Sequence, residues 1–137
     1  AEQIRNAMGY PMTLNQEEIT INGHAVECRI NAEDHHRDFL PTPGVIEAWA
    51  PPGGPHIRVD THCYRGYHVS PNYDSLLAKL IAHGRDRAEA LRILEQALRE
   101  FEISGVETLI PFHLRLLSNP AFIAGDYHTR WVEQEMF

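Results

Sequence analysis

The chain has 137 residues, of which 43% are hydrophobic and 23% charged, and its formal net charge is −7. This length suits one domain and the composition is globular, while the acidic balance and the lack of a long basic run argue against nucleic acid or an anionic membrane as partner. No stretch approaches the ~20 apolar residues of a membrane span, and no signal-peptide pattern opens the sequence, so we predict a soluble domain.

The first nine residues are typical of the end of a helix, with an apolar stripe on one face and Gly9 placed to stop it. A helix so short and without an N-terminal cap would hardly be stable alone, which predicts that it is cut from a longer one. A polar connector over residues 10–22 follows. We therefore assign residues 1–22 to the tail of a preceding domain and its connector, and residues 23–137 to a domain of their own.

Three strands are predicted in the first half of the chain. Residues 23–32 alternate apolar and polar side chains with a period of two. Two further strands are predicted over residues 45–50 and 57–62, separated by the turn-forming segment 51–55. In the last of these strands Arg58 lies on the polar face. The pattern predicts a small, mostly antiparallel β unit.

Helices are predicted in the second half. Asp74 can cap a helix that runs to Gly84, and Asp86 can cap the next, with Glu89 three residues later as in a capping box. Gly105 is placed to end this second helix.

A shorter helix is predicted over residues 112–117, and a polar segment with aromatic residues runs over 125–137. A β unit followed by packed helices predicts the α+β class rather than a parallel βαβ sheet.

Most candidate motifs have a structural explanation. The glycine pair in the turn 51–55 is not followed by the Lys-Ser/Thr of a phosphate-binding loop. His35 and His36 are expected to point apart on extended backbone, and no histidine has a helical metal-ligand spacing, so we predict no metal site. Cys28 and Cys63 also lack ligand spacing, which is typical of reduced thiols and predicts a cytoplasmic location.

Arg58 is the one side chain whose setting suggests anion binding. It shares the polar face of its predicted strand with Asp60 and His62. A guanidinium is always charged, and its planar fork matches a carboxylate, bicarbonate or phosphate. An arginine on a strand also commonly forms a structural ion pair, and the pattern leaves both alternatives open.

Long motif strings resemble the C-terminal domain of biotin carboxylase over residues 1 to about 133. They are GHAVECRINAED (23–34), FLPTPG (39–44), GGPHIRVD (53–60), VSPNYDSLLAKL (69–80) and GDYHTRW (125–131). The chain looks most similar to the separate biotin carboxylase polypeptide of bacterial acetyl-CoA carboxylase. The same domain occurs in pyruvate, propionyl-CoA and methylcrotonyl-CoA carboxylases, so the resemblance does not fix the acyl acceptor.

The resemblance implies the fold of that domain and a part in a ligase that carboxylates biotin on a carrier protein with ATP and bicarbonate. This is the first half-reaction of acetyl-CoA carboxylase in fatty acid biosynthesis. The resemblance implies that Arg58 contacts bicarbonate and biotin and stabilises the enolate on the ureido oxygen, and that Thr129 and Arg130 border the adenine pocket. Residues 1–22 would then be the tail of a preceding ATP-grasp domain and its connector.

The resemblance also implies partners. These are a biotin carboxyl carrier protein, a carboxyltransferase and a second copy of the enzyme in a homodimer, joined in the region of His83 and Arg87. The groups that bind the triphosphate and Mg²⁺ (or Mn²⁺) would lie upstream of residue 1. We therefore expect no cofactor bound to this chain, which should fold but be inactive alone. A non-catalytic interaction or dimerisation domain on the same fold remains the alternative.

The sequence departs from the family's pattern at three positions. His35 stands where proline is usual, and His56 and Leu109 replace residues that are more often glycine and asparagine. The resemblance implies a change confined to a loop at His35, and it leaves the turn geometry at His56 and Leu109 open.

Overall fold

A computed structural model describes residues 1–136. The helices are α1 (Glu2–Ala7), α2 (Arg87–Glu100), α3 (Ile110–Leu117), α4 (Pro120–Ala124) and α5 (Trp131–Glu135). The strands are β1 (His24–Asn31), β2 (Glu33–Asp34), β3 (Leu40–Pro41), β4 (Gly44–Val45), β5 (Ala48–Ala50), β6 (Ile57–Thr61), β7 (His68–Val69), β8 (Leu76–Gly84) and β9 (Glu102–Ser104). Two 3-10 turns complete the set, Gln16–Glu18 and His35–Arg37.

The largest sheet has three antiparallel strands, with β8 between β1 and β6. Cys28 of β1, Leu80 of β8 and Val59 of β6 lie opposite one another. Because successive side chains point to opposite faces, this row and its alternate neighbours form one apolar face. That face packs against α2, which contributes Leu94 and Leu98 to the main core.

The prediction of a helix from Asp74 to Gly84 is wrong, because residues 76–84 form β8. Five of the nine residues of this strand are buried, and all but one of the rest are partly buried. A short apolar run of this kind has no clear period and is compatible with either a helix or a strand. The α+β class is confirmed, but the central strand of the main sheet comes from the second half of the chain.

Helix α2 begins as the sequence predicts. The Asp86 carboxylate accepts a hydrogen bond from the Glu89 amide at 2.9 Å. The Glu89 side chain, however, accepts from the Arg85 amide at 2.7 Å, one residue before the expected donor. This arrangement satisfies two amide groups at the start of the helix.

Helix α2 ends at Glu100 rather than continuing to Gly105, because residues 102–104 pair with β5 as β9. Gly105 has a φ of +93°, and a Cβ there would collide with the Val45 carbonyl oxygen. The glycine therefore permits a close crossing of two chain segments and does not end a helix.

The remaining predicted elements are found with shifted bounds. The predicted strand 45–50 is divided into β4 and β5 around the fully buried Ile46. The predicted helix 112–117 begins two residues earlier as α3, and the sequence signals missed α4. Every helix within residues 1–136 is too short or too polar to span a bilayer.

The first 23 residues pack little against the rest of the chain. None of them is buried, and α1 contributes no residue to a core. The assignment of residues 1–22 to a preceding domain and its connector stays a prediction.

Candidate functional site

Strand β6 places Arg58 on the face of the sheet that α2 leaves open. Its neighbours Ile57 and Val59 pack against the main core, so the alternation of the strand turns Arg58 to the opposite side. The Arg58 side chain is 74% exposed. This is the orientation that the sequence pattern predicts.

Arg58 is held by one carboxylate. Its Nε donates to Asp60 Oδ1 at 2.9 Å and its Nη2 donates to Asp60 Oδ2 at 2.8 Å. The hydrogen bond from Arg58 lowers the pKa of Asp60 below its ordinary value, and the same contact raises the pKa of Arg58. Arg58 is therefore a cation with a fixed direction, since two parallel bonds define the plane of its guanidinium.

Further charges lie on the same open face. Lys79 of β8 stands between Asp60 of β6 and Arg29 of β1 in the strand register. Glu27, two residues before Arg29 on β1, lies beside it with a closest N–O distance of 3.9 Å. The sequence analysis placed residues 76–84 in a helix, and that error hid the position of Lys79 opposite Asp60.

A shallow cavity of about 340 Å³ adjoins Arg58. Its lining is Ala25, His56, Ile57, Arg58, Ile81 and His83. The floor is apolar, and Arg58 is the charged side chain among the lining residues. The face can therefore form one wall of a site for a small anion or a planar ring.

His83 and His56 lie together at the edge of this cavity. Their rings stack with centroids 6.1 Å apart, and His83 Nε2 is 2.8 Å from the Asn22 carbonyl oxygen. His56 has a φ of +70°, in the left-handed region that favours glycine. The turn keeps the conformation that a glycine would adopt, although a histidine occupies the position.

Arg87 has partners that the sequence did not indicate. Its Nη2 donates to the Phe122 carbonyl oxygen at 2.7 Å, and its guanidinium lies over the rings of Phe122 and Tyr127. Among residues 1–136, no ion pair joins it to an acidic residue of α2. Arg87 joins α2 to α4 and to the segment that follows it.

Thr129 and Arg130 lie in the exposed turn that leads into α5. Arg130 Nε is 3.7 Å from Glu133 Oε2, and the next residue, Trp131, is buried. Within residues 1–136, no hydrogen bond or ion pair joins Thr129 or Arg130 to Arg58.

The donor groups within residues 1–136 do not fit a metal site. In the described part of the chain, no three His, Cys, Asp or Glu side chains are grouped to bind a metal ion. The expectation that His35 and His36 point apart is wrong, because they form a 3-10 turn with ring centroids 3.9 Å apart. Cys28 and Cys63 are both buried, and burial raises the pKa of Cys28 to about 12.

A second polar cluster was also missed by sequence reasoning. Glu33 accepts hydrogen bonds from Asn31 Nδ2 at 2.9 Å and from the Ser75 hydroxyl. Together with Arg29 and Asp74 these groups line a cavity of about 230 Å³. Glu33 and Ser75 are 42 residues apart, so no local pattern could bring them together.

Comparison with known proteins identifies the class of this domain. Residues 27–134 match the model of the biotin carboxylase C-terminal domain. Over 133 residues the chain is 49% identical to the biotin carboxylase of Nostoc sp., covering 97% of this chain and 30% of that protein. It is 47% identical to a pyruvate carboxylase subunit of Methanothermobacter thermautotrophicus, covering 97% of this chain and 27% of that protein.

A solved structure agrees with these sequence matches. It is a dimer of the biotin carboxylase domain of 2-oxoglutarate carboxylase from Hydrogenobacter thermophilus, in complex with MgADP, ADP and bicarbonate. The TM-score is 0.95 at 42% identity, covering 98% of this chain and 30% of that one. The chain belongs to the biotin carboxylase C-terminal domain family. It spans about 30% of the length of the first relatives it matches.

Proposed function

We propose that this chain completes the active site of a biotin carboxylase, a ligase that uses ATP and bicarbonate to carboxylate biotin on a carrier protein. The observation that carries the proposal is the fixed, exposed guanidinium of Arg58 beside an apolar cavity. Membership of the family supports it.

Arg58 would act as a stationary positive charge. The guanidinium keeps its proton throughout, so it can stabilise negative charge without taking part in proton transfer. A donor aimed at bicarbonate, and later at the ureido oxygen of biotin as it gains charge, lowers the barrier for carboxyl transfer. The apolar floor of the adjacent cavity suits the biotin ring.

Nucleotide and metal binding are assigned to the rest of the full-length protein, because the side chains within residues 1–136 do not fit a Mg²⁺ site. Thr129 and Arg130 are proposed to contribute only the edge of the adenine pocket. Their position in an exposed turn supports contact with a group outside this domain.

We further propose acetyl-CoA carboxylase as the parent enzyme, in the cytoplasm. The match to a biotin carboxylase supports this choice, and the match to a pyruvate carboxylase polypeptide supports a pyruvate or other acyl-CoA carboxylase as the alternative. Transfer of labelled carboxyl groups from bicarbonate to acetyl-CoA or to pyruvate, in the presence of the native carboxyltransferase, distinguishes the two.

The proposed partners are the biotin carboxyl carrier protein, the carboxyltransferase and a second copy of the full-length enzyme. Dimerisation through the region of His83 and Arg87 is supported by the similar biotin carboxylase domain of 2-oxoglutarate carboxylase, which was solved as a dimer. His83 is exposed, whereas Arg87 already holds Phe122 within the domain. His83 is therefore the better candidate for direct contact with the second copy.

A non-catalytic interaction domain is the second candidate function. It is favoured by a set of apolar side chains near the start of the chain that are 53–94% exposed: Ile4, Met8, Tyr10, Met12, Leu14, Ile19 and Ile21. Such a surface requires a covering partner or domain in either proposal.

The deciding experiment is an assay of bicarbonate-dependent ADP release by the full-length protein, with and without free biotin. We expect release that increases with biotin, and no activity from residues 1–137 alone. Absence of biotin-dependent release from the folded full-length protein would favour the interaction domain. Activity of residues 1–137 alone would contradict the assignment of nucleotide and metal binding to the rest of the protein.

A further inference from the structure

The charges on the open sheet face form a row that extends beyond Arg58. Asp60 stands directly opposite Lys79 in the β6–β8 ladder. Lys79 is half-buried, and its charge helps to lower the pKa of Asp60. Within residues 1–136, Lys79 forms no ion pair or hydrogen bond through its side chain, so its ammonium is not committed to another carboxylate.

We infer that Asp60 is a positioning residue for Arg58 and that Lys79 offsets the negative charge of Asp60, so that Arg58 and Lys79 present their N–H donors to a planar oxyanion. The inference rests on the proposed function and adds two residues to the bicarbonate-binding part of it. The simpler alternative is a surface ion pair of Arg58 and Asp60 with no bearing on the reaction.

The geometry of the guanidinium supports a positioning role. Asp60 occupies the edge formed by Nε and Nη2, and these are the only hydrogen bonds of the Arg58 side chain within residues 1–136. A guanidinium has five N–H groups, so the edge formed by Nη1 and Nη2 keeps one N–H from each nitrogen. That edge matches two oxygens of bicarbonate or a carboxylate. Asp60 thus fixes the direction in which the second edge points.

The charge balance requires Lys79. Arg58 and Asp60 together have no net charge, and a neutral pair attracts an anion weakly. Glu27 and Arg29, which share the face, also cancel. Lys79 leaves the row with one net positive charge, which raises the local concentration of a small anion.

The test uses the full-length protein with Asp60→Asn and Lys79→Met, and the conservative variants Asp60→Glu and Lys79→Arg. Glu95→Gln is the matched control, because Glu95 accepts two hydrogen bonds from Arg99 on the exposed face of α2. Initial rates are measured against bicarbonate and, separately, against ATP.

We expect Asp60→Asn to lower kcat/KM for bicarbonate about tenfold or more, the size of effect expected when a charge-assisted pair is weakened, with KM for ATP changed less than about twofold. Lys79→Met should raise KM for bicarbonate several-fold. Asp60→Glu and Lys79→Arg should recover part of these losses because they keep the charge. Glu95→Gln should match the wild type.

Suppose that Arg58→Ala inactivates the protein, whereas Asp60→Asn and Lys79→Met have the same rates as the wild type. This result would overturn the inference and leave the proposed function unaffected. An equal loss for bicarbonate and ATP, or a loss at Lys79 that Lys79→Arg does not recover, would also overturn it. If Arg58→Ala itself remains active, the proposed function fails. If Asp60→Asn does not fold, the comparison of Lys79→Met with Lys79→Arg tests the inference.

Discussion

At the scale of single residues, burial decides the chemistry of the two thiols. Cys28 faces the main core from β1, and desolvation raises its pKa to about 12 from an ordinary 9.0. The pKa of Cys63 is also raised by burial. Because the thiolate is the nucleophile, neither cysteine is suited to covalent catalysis at neutral pH. This agrees with the assignment of the site to the opposite face of the sheet.

The burial of Cys28 predicts slow alkylation. In the native protein at mildly alkaline pH, iodoacetamide should modify Cys28 far more slowly than in the unfolded chain, as followed by mass spectrometry of its peptide. Since the folded-state pKa of about 12 lies above the ordinary 9.0, the stability that the protonated thiol contributes is complete below the lower value and is lost as the pH rises toward the higher one. Equal labelling rates in native and unfolded protein would contradict the burial.

Arg58 shows what sequence can establish about one residue and what it cannot. The alternation of Ile57, Val59 and Thr61 correctly predicts that Arg58 leaves the core. The pairing with Asp60 follows from the same alternation, because residues two apart on a strand share a face. Lys79 could not be assigned to this group, because its neighbourhood depends on the pairing of two strands that are distant in the sequence.

At the scale of elements, the start of α2 is determined by local sequence. Asp86 caps the helix by accepting a hydrogen bond from the Glu89 amide, and the Glu89 carboxylate accepts one from the Arg85 amide. These contacts join residues that are neighbours in the sequence, which is why a sequence pattern can predict them.

Asp86→Ala should lower the free energy of unfolding by about 1 kcal/mol, because an amide at the start of α2 loses its acceptor. Urea denaturation followed by circular dichroism measures this difference. Asp126→Ala is a suitable control, since Asp126 is exposed and caps no helix. An unchanged midpoint in Asp86→Ala would show that the cap does not contribute to stability.

Strand β8 illustrates the opposite case. Nothing in LLAKLIAHG specifies a strand, because its leucines, alanines and lysine are also good helix formers. Its conformation is decided by β1 and β6, which pair with it on both sides. Tertiary pairing thus overrides local preference, and the same is true of β9, whose partner β5 lies far earlier in the chain.

Leu80→Ala should destabilise the protein by about 2–5 kcal/mol, because Leu80 of β8 is fully buried in the main core and the truncated side chain leaves a cavity there. Ile81→Ala, on the open face of the same strand, should cost clearly less. Thermal or urea unfolding of the two variants measures the difference. Equal losses would mean that the two faces of the sheet do not differ in burial.

At the scale of the whole molecule, the domain has a well-packed side and an open side. Three core clusters hold α2 to α5 and the sheets together. The open face of the main sheet has exposed charges, and residues 1–22 expose apolar side chains. Sequence patterns predicted the class of fold and about half of the helices and strands, among them β1, β6, α2 and α3. They could not predict which surface stays uncovered, because that depends on contacts between distant segments.

The role proposed for Arg58 is to stabilise negative charge in biotin carboxylation. In the full-length enzyme, Arg58→Ala should lower the rate of carboxylation of free biotin about a hundredfold or more, the usual effect of removing a preorganised donor. Arg58→Lys should restore little, since a point charge cannot replace the planar fork. Arg99→Ala, which removes an exposed arginine paired with Glu95 on α2, is the matched control and should keep its activity.

The most direct measurement is the steady-state rate of bicarbonate- and biotin-dependent ADP release by these variants, together with their melting temperatures. We expect a large loss of rate in Arg58→Ala with an unchanged melting temperature. Near-normal turnover in Arg58→Ala with a lowered melting temperature would instead make Arg58 a structural residue and refute its catalytic role.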